Sequence, residues 1–390
     1  MRRSLGAGRA VVLMTTLRVI VDQMIPPVQG DLGAYSRDLA RALIRTAPRG
    51  CDVEAIIAAH GDDEVADVRK RLGGLSGLHK TTLRRRELSA AWQLGVASPQ
   101  VSTGLIHSPT LLAPLVKHDV DHGTQITVTL HDLLPWTQPK SLTPATVSGQ
   151  KALLKRALKH ADALVVPTHA LANQLSDIAD FGQRVRVIPG AAPSTLRLPV
   201  NPDQRAKELG LPPDYIVAMG SLEPRRGIIE LITAMARSNA PDLPLLIIGP
   251  ETWGDVTIEG TADEAGVSEG RVAGLGELAD ADKALVLSRA SALVVPSVGE
   301  GFGMPLVEAF TFGTPVIHSD DPALVETAGG AGYVVEAEGK GYADRLAEAM
   351  SAVLSDGSQR DRLRVLSHDR ARAFTWADSA SLLWTLHSDL

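Results

Sequence analysis

Short apolar runs rich in Val, Ile and Leu alternate along the chain with longer stretches whose apolar positions recur at helical spacing. In the first half the runs are residues 17–24, 51–57, 104–107, 125–130, 162–167 and 184–189, with helix-like AYSRDLARALIRT, KALLKRALKH and HALANQLSDI among the segments between them. Nearly continuous apolar runs separated by helices predict parallel strands covered on both faces. Residues 190–213, rich in proline and glycine, break the rhythm and predict a connection between domains. The rhythm then restarts with runs at 214–220, 243–249, 270–276, 291–297, 314–319 and 332–335, each followed by a helical stretch. The fold class expected is α/β, two doubly wound Rossmann-like domains in succession. Ligands of such sheets bind beyond the carboxyl ends of the strands, and two such domains would enclose a ligand in the cleft between them.

Composition narrows the function classes. With 44% hydrophobic and 22% charged residues the chain can bury real cores, which excludes global disorder. Its 39 basic and 45 acidic residues give a net charge of −6, which argues against a nucleic-acid partner. The one cysteine, Cys51, excludes an internal disulfide or a thiolate metal cluster and points to a reducing, cytoplasmic compartment. No apolar run approaches the ~20 residues that span a bilayer. The arginine pair and short apolar patch within residues 1–15 fall short of a secretion signal; a disordered extension is expected there, with Met14 as an alternative start.

Two segments carry candidate chemistry. In residues 291–320 an apolar run leads into the turn Gly299-Glu300-Gly301-Phe302-Gly303, then a helix with Pro305 near its start. Such glycines let backbone approach a ligand closely, and a helix start offers free N–H groups to oxygens. Glu300 and Glu308 would stand roughly 12 Å apart on helical geometry, so they cannot share one proton. They either hold two ends of an extended ligand or serve as a loop acid and a dipole-favouring helix acid. The second segment, EPRRG at 223–227, follows a run directly and is either a solvated basic turn or a phosphate site.

EGFGMPLVE (300–308) followed by AFTFGTPVI resembles the signature of the family-4, retaining GT-B glycosyltransferases. The remaining motifs agree in order: GDLGAYSRDLARAL (30–43), TLHDLLP (129–135), RVIPGAAP (186–193), AMGSLEPRRGIIELITAM (218–235) and FTWADSASLLWTLH (374–387). The resemblance implies a GT-B enzyme with an acceptor domain over 16–195, a donor domain over 196–372 and a helix at 373–390 crossing back to the first domain. It places Glu300 at the donor sugar's hydroxyls, Glu308 on the ribose, and the N–H groups of Phe302, Gly303 and Met304 on the sugar. Ser221, Arg225 and Arg226 would meet the diphosphate, and Gly33 would bring backbone close to it. His131 would form the wall beside the anomeric carbon, which makes Glu300, His131, Arg225 and Arg226 the catalytic set.

Members resembled here usually carry lysine where Arg226 stands, and a second glycine where Asp31 stands. GELADADKAL (276–285) resembles the base-binding loop, with Leu278, Asp280 and Lys283 beside the base; an ordinary helix cap is the alternative. The acidic loop and HDL favour GDP-mannose, with a uridine-diphosphate sugar or a non-catalytic nucleotide-sugar binder as alternatives. No metal or other cofactor is expected. The acceptor expected is a glycan, a lipid-linked molecule or a small molecule. Lys151, Lys155, Arg156 and Lys159, like Lys80 and Arg84 to Arg86, would either touch anionic headgroups at the inner face of a membrane or form solvated faces.

Overall fold

A computed structural model of the chain describes residues 15–27, 32–119 and 123–390. Apart from Thr15, the expected extension lies outside the described residues, as do Met14, Gly30 and Asp31. The strands in chain order are β1 Thr15–Ile20, β2 Cys51–Ile57, β3 Gly77–Lys80, β4 Leu105–Ser108, β5 Gln125–Thr129, β6 Ala163–Val166 and β7 Val185–Val187. There follow β8 Ile216–Met219, β9 Leu245–Ile248, the hairpin β10 Thr252–Trp253 with β11 Val256–Thr257, β12 Val272–Gly276, β13 Ala292–Val295, β14 Val316–Ser319 and β15 Tyr333–Val335. One parallel sheet has the order β3-β2-β1-β4-β5-β6-β7 and the other β12-β9-β8-β13-β14-β15.

Every apolar run named above contains a strand. β3 (GLHK) and the two-residue hairpin strands have no such run, so periodicity does not reveal them. The run at 17–24 turns into a single 3-10 turn, Asp22–Met24, after β1. Within the expected connection at 190–213 lies a helix, Pro202–Glu208, opened by its proline.

The second sheet shows why its strands are continuous apolar runs. Ile216, Ala218, Leu245, Ile247, Ala292 and Val294 pack in one core. Their neighbours Val217, Leu246, Ile248, Leu293 and Val295 pack in another. Successive side chains point to opposite faces and both faces are covered.

The chain divides into two compact units, one of residues up to 128 with 159–163 and 380–390, the other of 129–158 with 164–379. In the first, the end of the terminal helix is tied down by Trp384, whose Nε1 donates to the Leu43 carbonyl at 3.2 Å. His387 is buried there, with Nδ1 2.9 Å from Gln125 Oε1 and Nε2 3.2 Å from Thr127 Oγ1. A neutral ring donating from Nδ1 and accepting at Nε2 satisfies both contacts, a tautomer assigned from its partners.

Burial pushes the His387 pKa down to about 4. Between that value and the ordinary histidine value near 6.5 the unfolded chain binds the extra proton and the folded chain does not, so stability falls on acidification. The loss expected from His387 between pH 7 and pH 4 is about 3 kcal/mol, taking about 1.4 kcal/mol per pKa unit. Burial depresses His318 in the same direction. Urea unfolding at pH 7 and pH 4 checks this, and His387→Gln should shrink the difference between the two.

Candidate active site

The glycine-rich turn is built by the second unit's own packing. A Cβ on Gly301 would stand 1.8 Å from the His131 carbonyl oxygen, so only glycine lets the two backbones meet. Gly303 sits at φ +90°, in the left-handed region, and a Cβ there would stand 2.5 Å from Leu324 Cδ2. The loop is then pinned by three hydrogen bonds. Thr168 Oγ1 donates to the Gly301 carbonyl at 2.9 Å, Thr327 Oγ1 to the Phe302 carbonyl at 2.5 Å, and the Glu300 N–H to Asp321 Oδ2 at 3.3 Å. The expectation gave these glycines to ligand approach; Gly301 and Gly303 are required by protein contacts.

The helix Met304–Thr311 starts directly after Gly303, with Pro305 in its first turn, and Leu306, Ala309 and Phe310 anchor it in the core. Buried Phe302 packs edge-on against Phe374, ring centroids 5.6 Å apart. Pro305 has no N–H and the Leu306 N–H donates to the Gly303 carbonyl at 3.0 Å, so in the first turn it is the Met304 N–H that suits an oxygen ligand.

The basic pair lies on a 3-10 turn, Pro224–Arg226, after β8 and half-buried Ser221. Gly227 at φ +63° stops that turn; a Cβ on it would stand 2.2 Å from the Pro296 carbonyl oxygen, which seats the basic turn against the end of β13. Arg225 Nε donates to Glu223 Oε2 at 2.9 Å and its Nη1 to the Gly299 carbonyl at 3.3 Å. The Arg226 stem lies across Gly220, whose Cβ position is 3.4 Å from Arg226 Cδ, and its Nη1 donates to Glu300 Oε1. Both arginines are thus brought to the glycine turn, and a guanidinium with five donors has capacity left for phosphate.

The second acid has a different partner. Glu308, 1% exposed, accepts from Lys283 Nζ at 2.7 Å. Lys283, 6% exposed, comes from the helix Asp280–Arg289, and its ammonium is also 3.7 Å from Asp280 Oδ1. Thr195 Oγ1 donates to Asp280 Oδ2. Spacing alone treated Glu308 as a ligand group or a dipole-favouring acid; the structure makes it one half of a buried ion pair.

The other expected residues fall as follows. Half-buried Leu278 packs against the core ahead of the helix that bears Asp280. His131 is half-buried, its carbonyl against Gly301. Gly33 belongs to the first unit, in the first turn of the helix Leu32–Arg45, where a Cβ would stand 2.9 Å from the Gln23 carbonyl oxygen. Met304 is half-buried at the helix start.

Sequence reasoning missed Thr168, Thr327 and Asp321 as loop supports. Only Asp321, directly before Pro322, carried a signal: it caps the helix Pro322–Ala328 by accepting from Ala323 N and Leu324 N. Burial raises its carboxyl pKa, against those N–H bonds.

Two Rossmann-like parallel sheets in succession are the architecture of the GT-B fold. Anabaena Alr3699/HepE, solved in complex with UDP and glucose, matches with a TM-score of 0.70 over 96% of this chain and 100% of that one, at 17% identity. A family model described as Glycosyltransferase Family 4 matches residues 32–193, and one described as Glycosyl transferases group 1 matches 201–365. The chain belongs to this family of glycosyltransferases. O-antigen chain mannosyltransferase B of Escherichia coli is 30% identical over 165 residues, 42% of each chain. The MMP alpha-(1->4)-mannosyltransferase of Mycolicibacterium hassiacum is 25% identical over 90% of this chain and 93% of that one. Several relatives, the E. coli protein among them, are matched over 42% to 59% of their own length.

Proposed function

We propose that this protein transfers a hexosyl unit, mannosyl by preference, from a nucleotide diphosphate sugar to a glycan, lipid-linked or small-molecule acceptor, with retention at the anomeric carbon. The observation that carries the reading is the junction of Arg226 with Glu300 at a glycine-bounded helix start. Arg225 and Arg226 would hold the diphosphate and stabilise the charge it gains as the glycosidic bond breaks. Glu300, an acceptor-only group, suits sugar hydroxyls, and Glu308 suits the ribose. Leu278 and Asp280 are read as facing the base, with Ser221 toward the diphosphate and His131 beside the anomeric carbon.

GDP-mannose is the favoured donor, supported by the acidic loop at 276–285 and by the mannosyl transfer named for the E. coli and M. hassiacum relatives. A UDP-sugar is the second reading, favoured by the UDP held in Alr3699/HepE. Among the described residues no helix is long and apolar enough to cross a membrane. Membrane contact would be peripheral, through exposed Lys151, Lys155 and Lys159 on the helix Pro144–His160.

Titration with GDP-mannose and with UDP-glucose decides between the donors. Arg226→Ala should weaken binding of the preferred donor at least tenfold, since one hydrogen bond to a charged group contributes about 1.5–3 kcal/mol. The difference should narrow as salt is raised. Equal donor affinity in wild type and variant would remove the assignment.

A further inference from the structure

We infer that Glu326 is a positioning residue for the transfer reaction, holding the glycine turn in place through the start of the helix His169–Ser176. The inference rests on the reading of Glu300 as the group that meets the donor sugar.

The first N–H groups of a helix need acceptors from outside its own ladder. Here His169 N donates to Glu326 Oε1 at 2.8 Å and Ala170 N to Glu326 Oε2 at 2.7 Å. Leu171 N donates to Thr168 Oγ1 at 3.1 Å, and Ala172 N to the Thr168 carbonyl at 3.1 Å. One carboxylate, 157 positions from His169, thus gives both oxygens to the two donors that Thr168 does not serve. A charged acceptor at a helix start makes the stronger kind of hydrogen bond and complements the helix dipole.

Thr168 is the link to the site. It is buried, and its hydroxyl accepts from Leu171 N while its one proton goes to the Gly301 carbonyl at 2.9 Å. The direction of that bond is therefore set by the helix start that Glu326 anchors.

Glu326 is itself held. It lies on the helix Pro322–Ala328, between Asp321, which accepts from Glu300 N, and Thr327, which donates to the Phe302 carbonyl. Arg370 donates to the carbonyls of Glu326 and Thr327 at 2.9 Å and 2.8 Å. Its guanidinium lies 4.9 Å from the centre of the Phe374 ring, the ring that packs against Phe302. This short helix grips the glycine turn directly at Glu300 and Phe302 and, through Glu326 and Thr168, at Gly301 between them. Loss of the Glu326 carboxylate leaves two N–H groups without their acceptor and loosens the middle grip. Glu308 is placed by its own pair with Lys283, so the ribose contact is spared.

Amide hydrogen exchange of the full chain, read by mass spectrometry, is compared in wild type, Glu326→Ala, Glu326→Gln and Asp356→Ala. Asp356 caps the helix Gly357–Ala371 by accepting from Ser358 N and Gln359 N, so its variant controls for loss of a carboxylate cap as such. Glu326→Ala should speed exchange about tenfold or more at 168–172 and also at 299–303, because local opening sets the rate. Turnover is read as nucleoside diphosphate released from GDP-mannose or UDP-glucose, whichever binds more tightly. It should fall about tenfold or more while the donor KM stays within about threefold of wild type, the pattern of a group that acts on the transition state. Glu326→Gln, which keeps one acceptor oxygen and no charge, should fall between. Both effects together support the assignment. Faster exchange confined to 168–176 overturns it, as does turnover equal to that of Asp356→Ala while Glu300→Gln is slow. If Glu300→Gln turns over as fast as wild type, the reading of Glu300 fails, and exchange at 299–303 alone decides whether Glu326 holds the turn.

Discussion

Lys283→Met is expected to cost the fold about 3–5 kcal/mol, the range found when one partner of a buried ion pair is removed. The lysine and Glu308 are both nearly inaccessible, joined at 2.7 Å. Methionine fills most of the stem's volume, so the loss reports the stranded carboxylate rather than a cavity. Replacing both partners, as in Lys283→Met/Glu308→Leu, should recover most of the lost stability, because apolar pairs of similar volume replace buried ion pairs without great loss. The double variant should still bind donor poorly, since Glu308 is the group assigned to the ribose. Chemical denaturation of wild type and the two variants checks this. A Lys283→Met protein within about 0.5 kcal/mol of wild type, the range of ordinary surface changes, would show that the pair contributes little.

That ion pair marks the limit of what was legible in the chain. The strands of both sheets could be read because they are buried on two faces and therefore written as unbroken apolar runs; β8, β9, β13 and β14 are the clearest cases. β3 could not, since an edge strand of Gly, Leu, His and Lys carries neither a run nor an alternation. In the site, the glycine turn and basic pair were visible because each is local: a few adjacent residues of unusual composition after an apolar run. Lys283 and Glu308 stand 25 positions apart, and the Thr168 bond to Gly301 spans 133. Pairings at that separation are set by how helices dock, and threonines are too common in any role to announce one. Asp321 was readable as a helix cap yet not as the acceptor for Glu300, because the cap is local and the second bond is not.

The same distinction makes Gly301 the most exacting position in the site. Gly301→Ala adds a single methyl group, but its Cβ would lie 1.8 Å from one backbone oxygen and 2.9 Å from the carbon that bears it, both of His131. Neither belongs to a flexible side chain that can swing aside. The glycine turn and the segment after β5 must separate by an ångström or more, and that displaces Glu300 on one side and His131 on the other. A displacement of that size at a reacting centre can lower turnover by about 10²-fold. The strain is expected to cost about 1–3 kcal/mol of stability, the usual range for overpacking. Gly357→Ala is the control: it opens the helix Gly357–Ala371, and a Cβ there meets nothing within 4 Å, so stability and turnover should stay close to wild type. Transfer rates with the preferred donor, measured beside unfolding midpoints, separate the two effects. Full activity in Gly301→Ala would mean that the chemistry does not depend on the contact between the glycine turn and His131, and the catalytic assignment of both Glu300 and His131 would fall with it.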